Sequence, residues 1–222
     1  MSARRIVDLA LPLSAETATY PGDPHPQIEM LSTIERDGAN VTRVVLSTHA
    51  GTHVDVPYHL LEFGKSVDEL TLDAFCGNAL TCDVSNRVLG SCISLDDLDP
   101  SITVKRGEIA LFYTQYNDPA KNASKKRNWT YLDTTLAEWL IEKRVKAVGT
   151  DSMSVDPLDS LENEVHKKLL QNDIVIFENL SNNLRLLLGK RAFFFGMPLK
   201  LVRADASPVR AFAVCGEDRN SY

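Results

Sequence analysis

Apolar positions in this chain fall into short runs, broken by polar and proline-rich stretches, with two longer segments at helical spacing. Residues 6–11 read as a first strand. Residues 28–34 and 40–47 read as two more, joined by a turn at Asp37-Gly38. Residues 79–83 read as a buried strand. Residues 108–113, EIALFY, form a continuous apolar run that predicts another. Leu132, Leu136, Trp139 and Leu140 recur at helical spacing, which predicts an amphipathic helix over 132–143 with Asp133 and Thr134 near its start. A strand over 145–149 follows, then a second helix over 160–171. A strand over 174–177 ends at Glu178. This alternation of helix and strand implies an α/β layer with parallel pairing. The last third, with FFFGMPLKL and SPVRAFAV, predicts two further strands.

The segments between are shorter or irregular. AETATYPGDPHPQ carries Pro21, Pro24, Pro26 and Gly22 and reads as a stiff loop, with Tyr20 in it as a candidate pocket wall and His25 as a surface residue. A short helix is expected around 73–75, and 94–98 is a short piece ended by Pro100. QYNDPAKNASKKRN is the longest polar stretch, and its basic part, 121–127, reads as a solvated surface loop. Asp151 and Asp156, in TDSMSVDPLDS, read as turn formers.

At 222 residues the chain is most simply one domain, 1–222, long enough to bury a sizeable core. A net charge of −6 and a pI near 5.4 argue against nucleic acid and anionic membrane as partners, because both need a basic footprint. No apolar run approaches a membrane span. Asp8 and Pro12 interrupt the N-terminal segment too early for a signal-peptide core. The four cysteines form no CxxC pair and read as reduced thiols of a cytoplasmic protein. No glycine-rich phosphate loop and no GxSxG elbow is present, so nucleotide-binding and serine-hydrolase chemistry have no support.

The densest chemistry lies in STHAGTHVDVPYH, residues 47–59, which holds three of the five histidines. Imidazole and carboxylate are ligands for zinc and neighbouring transition metals. His49 and His53 stand four apart, a helical spacing, but Gly51, Thr52, Val54, Val56 and Pro57 all disfavour a helix. Fully extended, the two residues would lie about 13 Å apart at roughly 3.3 Å per residue, too far for one ion. The chain is therefore expected to turn at Ala50-Gly51-Thr52, with Gly51 supplying the freedom. Beyond it, 52–56 can run extended with His53 and Asp55 on one face. A lone buried histidine is more often a hydrogen-bonded core residue than a ligand. Three histidines and an aspartate this close together favour metal or catalysis instead. A fourth histidine, His166, lies in ENEVHKKLLQN. Glu178 ends the next strand after four apolar residues, near the mouth of a buried sheet, where α/β sheets place ligands.

HAGTHVDVPYH resembles the HxGTHxDxPxH signature of the cyclase-like metal-dependent hydrolases, whose best-known members are bacterial kynurenine formamidases. YPGDP, GTDSMSVDP, VHKKLLQNDIVIFENL and PLKLVRADASPVRAFAV resemble further blocks of that family, in the same order. The resemblance implies an α/β fold with a mixed, barrel-like β-sheet flanked by helices, as a homodimer or larger. It implies two divalent metal ions per chain, zinc first and manganese second. His49, His53 and Asp55 match ligands of one. Asp55, His166 and Glu178 match those of the other, with the carboxylates bridging. Relatives acting on isatin resemble single-manganese enzymes with glutamine at the place of Glu178. His59 matches the residue that gives and takes protons. Tyr20 stands where the family has a substrate-contacting aromatic, commonly Trp or Phe. The implied reaction on a small-molecule substrate is hydrolysis of an amide by metal-activated hydroxide, with an aryl formamide (N-formylkynurenine, giving kynurenine and formate) as first expectation. A histidine, which titrates closest to neutrality, suits delivery of the leaving amine's proton. A cyclic amide or lactone, isatin-like, is the alternative, and a protein merely stapled by metal is a third reading. Arg210 and Arg203 are less defined: Arg210 could hold a substrate carboxylate or a partner subunit, with a core-edge salt bridge as the favoured reading.

Overall fold

The computed structural model describes residues 5–101, 103–120 and 128–216, so the basic stretch 121–127 lies outside the described residues. In chain order the strands are β1 (Arg5–Asp8), β2 (Gln27–Ser32), β3 (Val41–Val45), β4 (His53–Asp55), β5 (Cys76–Asp83), β6 (Cys92–Ile93), β7 (Ile109–Tyr113), β8 (Tyr131–Leu132), β9 (Ala147–Thr150), β10 (Val175–Glu178), β11 (Arg191–Phe195), β12 (Ala206–Pro208) and β13 (Phe212–Cys215). The α-helices are α1 (Ile34–Asp37), α2 (Thr134–Lys143) and α3 (Glu164–Leu170).

Nine strands form one mixed sheet in the order β1-β13-β11-β5-β7-β9-β10-β4-β12. The expected parallel pairing is its centre, with β5, β7, β9 and β10 side by side and parallel. Every residue of β7 is buried, as the continuous apolar run requires for a strand covered on both faces. Ile109 and Leu111 point into one core layer with Val54, Val175, Phe177 and Phe194. Ala110 and Phe112 point into the other, where Leu136 and Leu140 of α2 and Val165 and Leu169 of α3 cover the sheet.

Helix α2 begins where the sequence places it. The Asp133 carboxylate accepts the backbone N–H of Leu136 at 2.7 Å, an N-cap worth about 1 kcal/mol. Helix α3 is shorter than its apolar pattern predicts, because Asn163 sits in the left-handed region at φ 47° and stops the chain from being helical before Glu164. The expected turn at Asp37-Gly38 contains the single helical turn α1, ended by Gly38 at φ 79°. Strands β2 and β3 pair as predicted, but only with each other, apart from the main sheet.

The last third departs most from its pattern. SPVRAFAV divides between β12, at one edge of the sheet beside β4, and β13, next to β1 near the other edge. In a flat sheet these positions would lie about 34 Å apart, at roughly 4.8 Å per strand. The four peptide steps from Pro208 to Phe212 reach at most about 14 Å. The sheet must therefore curl until its ends approach. The backbone N–H of Leu11, just after β1, donates to Thr52 Oγ1, just before β4, at 2.8 Å and joins the ends. The result is the mixed, barrel-like sheet that the family resemblance implies.

Candidate metal centre

Strand β4 lies between β10 and β12. His53 stands opposite Glu178 of β10, and Asp55 opposite Ile176. Directly opposed residues share a face, so His53, Asp55 and Glu178 project together, and a slip of one residue would turn β4's ligands into the opposite layer. His49 comes back over this face through the expected turn, with Gly51 at φ +65°. After β4 a tight turn, Pro57–His59, sets His59 above the same face. Helix α3 packs on β10 and delivers His166 from below.

The side chains converge closely. His49 Nδ1 is 2.9 Å from Asp55 Oδ1, and His53 Nε2 is 3.4 Å from the same oxygen and 3.6 Å from Glu178 Oε2. His166 Nε2 lies 3.5 Å from Asp55 Oδ2 and 3.3 Å from Glu178 Oε1. Two triads, His49/His53/Asp55 and Asp55/His166/Glu178, each keep their donor atoms within 4.8 Å, and they share Asp55. A third such group joins His49, His59 and Asp205.

The other nitrogen of each of His49, His53 and His166 is occupied. His49 Nε2 meets Asp205 Oδ2 at 2.9 Å, His53 Nδ1 donates to Gly51 O at 2.9 Å, and His166 Nδ1 meets Asp156 Oδ2 at 2.6 Å. Such outer acceptors fix ring orientation and tautomer in metal sites. Asp55, only 1% exposed, accepts no hydrogen bond at either oxygen. Its oxygens face histidine nitrogens at 2.9, 3.4 and 3.5 Å, and a buried carboxylate ringed by imidazole nitrogens is suited to sharing a cation with them. Asp156, in contrast, also accepts the first N–H groups of α3, from Val165 and His166.

The electrostatics point the same way. Burial pulls His49 down, yet Asp55 and Asp205 outweigh it and raise the imidazole to about 10. His53 and His166 are raised against burial too, chiefly by Asp55 for the first and Glu178 for the second. Hydrogen bonds from His49 and His59 hold Asp205 well below the usual carboxylate range. The cluster attracts positive charge, and its nitrogen and oxygen donors suit a divalent metal.

Every expected site residue borders one cavity of about 210 Å³, including Tyr20 at its wall. Two further carboxylates that the sequence did not single out for this site belong to it. Asp205 holds His49 and, at 3.3 Å, His59 Nδ1. Asp156 is no mere turn former, since it orients His166. Asp205 carried no signal, being 146 residues from His59 with no spacing to mark it. Arg210 pairs with Asp8 at 2.6 Å on the surface, as the salt-bridge reading expects. His25 is exposed, as expected.

Asp151 is a correction of another kind. It is fully buried, its Oδ1 accepts the backbone N–H and the hydroxyl of Thr114 at 2.7 Å each, and its Oδ2 has no partner. Burial pushes its carboxyl up to about 7, above the unfolded value of about 3.9. Between those values the native state holds a proton that the unfolded chain has lost. Stability therefore falls as pH rises through this window, by up to roughly 4 kcal/mol. Asp151→Asn is expected to remove that slope and to gain stability over the wild type at pH 8 more than at pH 5, measured by denaturant unfolding. An equal difference at both pH values would refute this assignment.

The Cyclase family model matches residues 7–157. This chain belongs to the cyclase family. The kynurenine formamidase of Bacillus cytotoxicus is 35% identical over 213 residues, spanning 95% of this chain and 98% of that protein. Among solved structures, an isatin hydrolase bound to the product analogue thioisatinate superposes with a TM-score of 0.88 at 20% identity, covering 96% of this chain and 93% of the other. A potential metal-dependent hydrolase with cyclase activity gives 0.81 at 24% identity, covering 97% and 100%. These likenesses extend the cyclase fold over the whole described chain, including the C-terminal β12 and β13 beyond the matched family segment.

Proposed function

We propose that this cyclase-family protein is a metal-dependent hydrolase that cleaves the carbon–nitrogen bond of a small aryl formamide, with N-formylkynurenine giving kynurenine and formate. The observation that carries the reading is the pair of donor triads sharing Asp55, a buried carboxylate whose oxygens face three histidine nitrogens. The 35% identity to a kynurenine formamidase over nearly the whole chain supports the substrate. His49, His53 and Asp55 would hold one divalent ion, and Asp55, His166 and Glu178 a second. Zinc suits these donors first and manganese next. Ions held there supply a water of lowered pKa and polarise the scissile carbonyl.

The chain's own groups do the rest. Asp205, Asp156 and the Gly51 carbonyl keep the histidine rings in place. His59 stands at the rim of the cluster, its Nδ1 held by Asp205 and its ring lining the cavity. Hydrolysis forms a C–O bond and breaks C–N, and the departing aniline nitrogen takes a proton, which His59 is placed to give. Tyr20 forms a wall for an aromatic substrate.

Four free thiols fit a cytoplasmic enzyme. No helix among the described residues is long and apolar enough to cross a membrane. The β2–β3 hairpin exposes Ile28, Met30, Val41 and Val44. A two-stranded ribbon is marginal alone, so this exposed apolar ribbon supports a homodimer in which a second copy covers it.

The test is metal analysis of the purified protein together with hydrolysis of N-formylkynurenine, before and after chelation. Close to two ions per chain, fast turnover, and loss of turnover with the fold retained are expected. Two ions without turnover would move the substrate to cyclic amides and lactones. Unfolding on chelation would favour a structural staple. Absence of metal after reconstitution would overturn the reading.

A further inference from the structure

A second, wider cavity of about 500 Å³, walled by Tyr116, Trp129, Met153 and Pro21, adjoins the catalytic one at Tyr20. Tyr20, Asp23 and Met153 border both. Tyr20 and Asp23 are the first and last residues of one tight turn. The Asp23 N–H donates to Tyr20 O at 3.0 Å, Pro21 follows Tyr20, and Gly22 takes φ +105°, the pattern of a type II turn. The turn presents a phenol ring and a carboxylate side by side at the junction of the cavities. The aromatic side is rigid: Tyr20 packs on Trp129 with centroids 5.7 Å apart, and the Trp129 indole N–H donates to Asp156 O at 2.8 Å.

Asp23 is half-buried, and among the described residues its carboxylate has neither hydrogen bond nor ion pair, no lysine or arginine borders either cavity, and His25 is the one basic side chain lining the second. It lies close enough to the Tyr20 phenol to add to the rise in that group's pKa, behind burial and Glu178. An unpaired carboxylate beside aromatic faces is the chemistry that recognises an organic ammonium, by charge and by cation–π attraction.

We propose that Asp23, with the aromatic face of Tyr20 that the buried Trp129 backs, is the specificity element that binds an ammonium group of the substrate, remote from the scissile bond. This rests on the reading above, in which the substrate is an aryl formamide carrying an α-ammonium. The site selects substrates with a cationic arm over neutral or purely anionic ones of the same size.

The experiment is calorimetric binding of kynurenine and of its desamino analogue to the metal-loaded enzyme, in wild type and Asp23→Asn, with hydrolysis of N-formylkynurenine recorded on the same samples. Asparagine suits the turn position, and circular dichroism and metal content check that the variant is intact. The wild type is expected to favour kynurenine by about tenfold, and D23N to lose most of that preference. Equal binding of the two compounds by the wild type, binding of neither, or a preference that D23N retains would overturn the inference. The expected preference without any hydrolysis would uphold the ammonium site and reject the formamidase reading alone. Hydrolysis with no preference would do the reverse.

Discussion

Asp55→Asn is expected to lose bound metal and to lower kcat/KM by on the order of 10⁴-fold or more, about 5.5 kcal/mol of barrier at 1.36 kcal/mol per factor of ten. The size follows from the residue's place in both donor triads. An asparagine keeps the shape but removes the charge from each triad, and its amide offers one acceptor where the carboxylate offers two. The loss of a donor therefore falls on both triads at once, whereas Glu178 or His166 belongs to one. Buried neighbours cannot compensate, because the next carboxylates, Asp156 and Asp205, are already committed to His166, His49 and His59. Elemental analysis and steady-state kinetics on the same preparation check it. Wild-type metal content with wild-type turnover would remove Asp55 from the centre of the site.

His59→Asn separates chemistry from metal holding. Turnover is expected to fall by roughly 10²–10⁴-fold, the range for loss of a general acid–base group, while metal content stays at the wild-type level. His59 could also be grouped with His49 and Asp205 as a ligand set, and that alternative makes the opposite prediction. If His59 held an ion, the variant would lose metal in proportion to activity. A further check is the leaving group. Amides whose departing amine is a better leaving group need less help from an acid, so the deficit of the variant should shrink with them. A deficit that is the same for good and poor leaving groups would argue against proton delivery by His59.

Much of this enzyme can be read along the chain, and the reason lies in how local the signals are. The HAGTHVDVPYH segment carries four site residues within two turns and one short strand, so spacing alone brings them into range. The strand at 109–113 and the α2 helix are specified by their own apolar periods and by the Asp133 cap, which act within a few residues. His166 and Glu178 are read because a helix packs back on the strand that follows it. The turn at Gly51 is read because two ligands of one ion cannot sit on an extended chain.

Other features depend on contacts between distant segments. Asp205 reaches His49 and His59 only because β12 lies beside β4, and nothing in ADASP marks it for that task. Asp156 and Asp151 share one short turn, yet one orients His166 and the other is buried with an unpartnered oxygen. Their neighbours in space, not in sequence, set these different roles. The splitting of SPVRAFAV between two ends of the sheet is likewise invisible in its apolar pattern, which is equally good for one strand.

The candidate donor residues, the family and the order of helices and strands were thus set by short-range pattern and motif. The curl of the sheet, the opposed register of His53 and Glu178, the carboxylates behind the histidines and the cavity beyond Tyr20 were decided by tertiary packing. The physical reason is the same for each. A side chain's local spacing determines which face of its own element it occupies, but its partner across the site is chosen by which strand lies alongside, and that is settled only when the sheet ends meet.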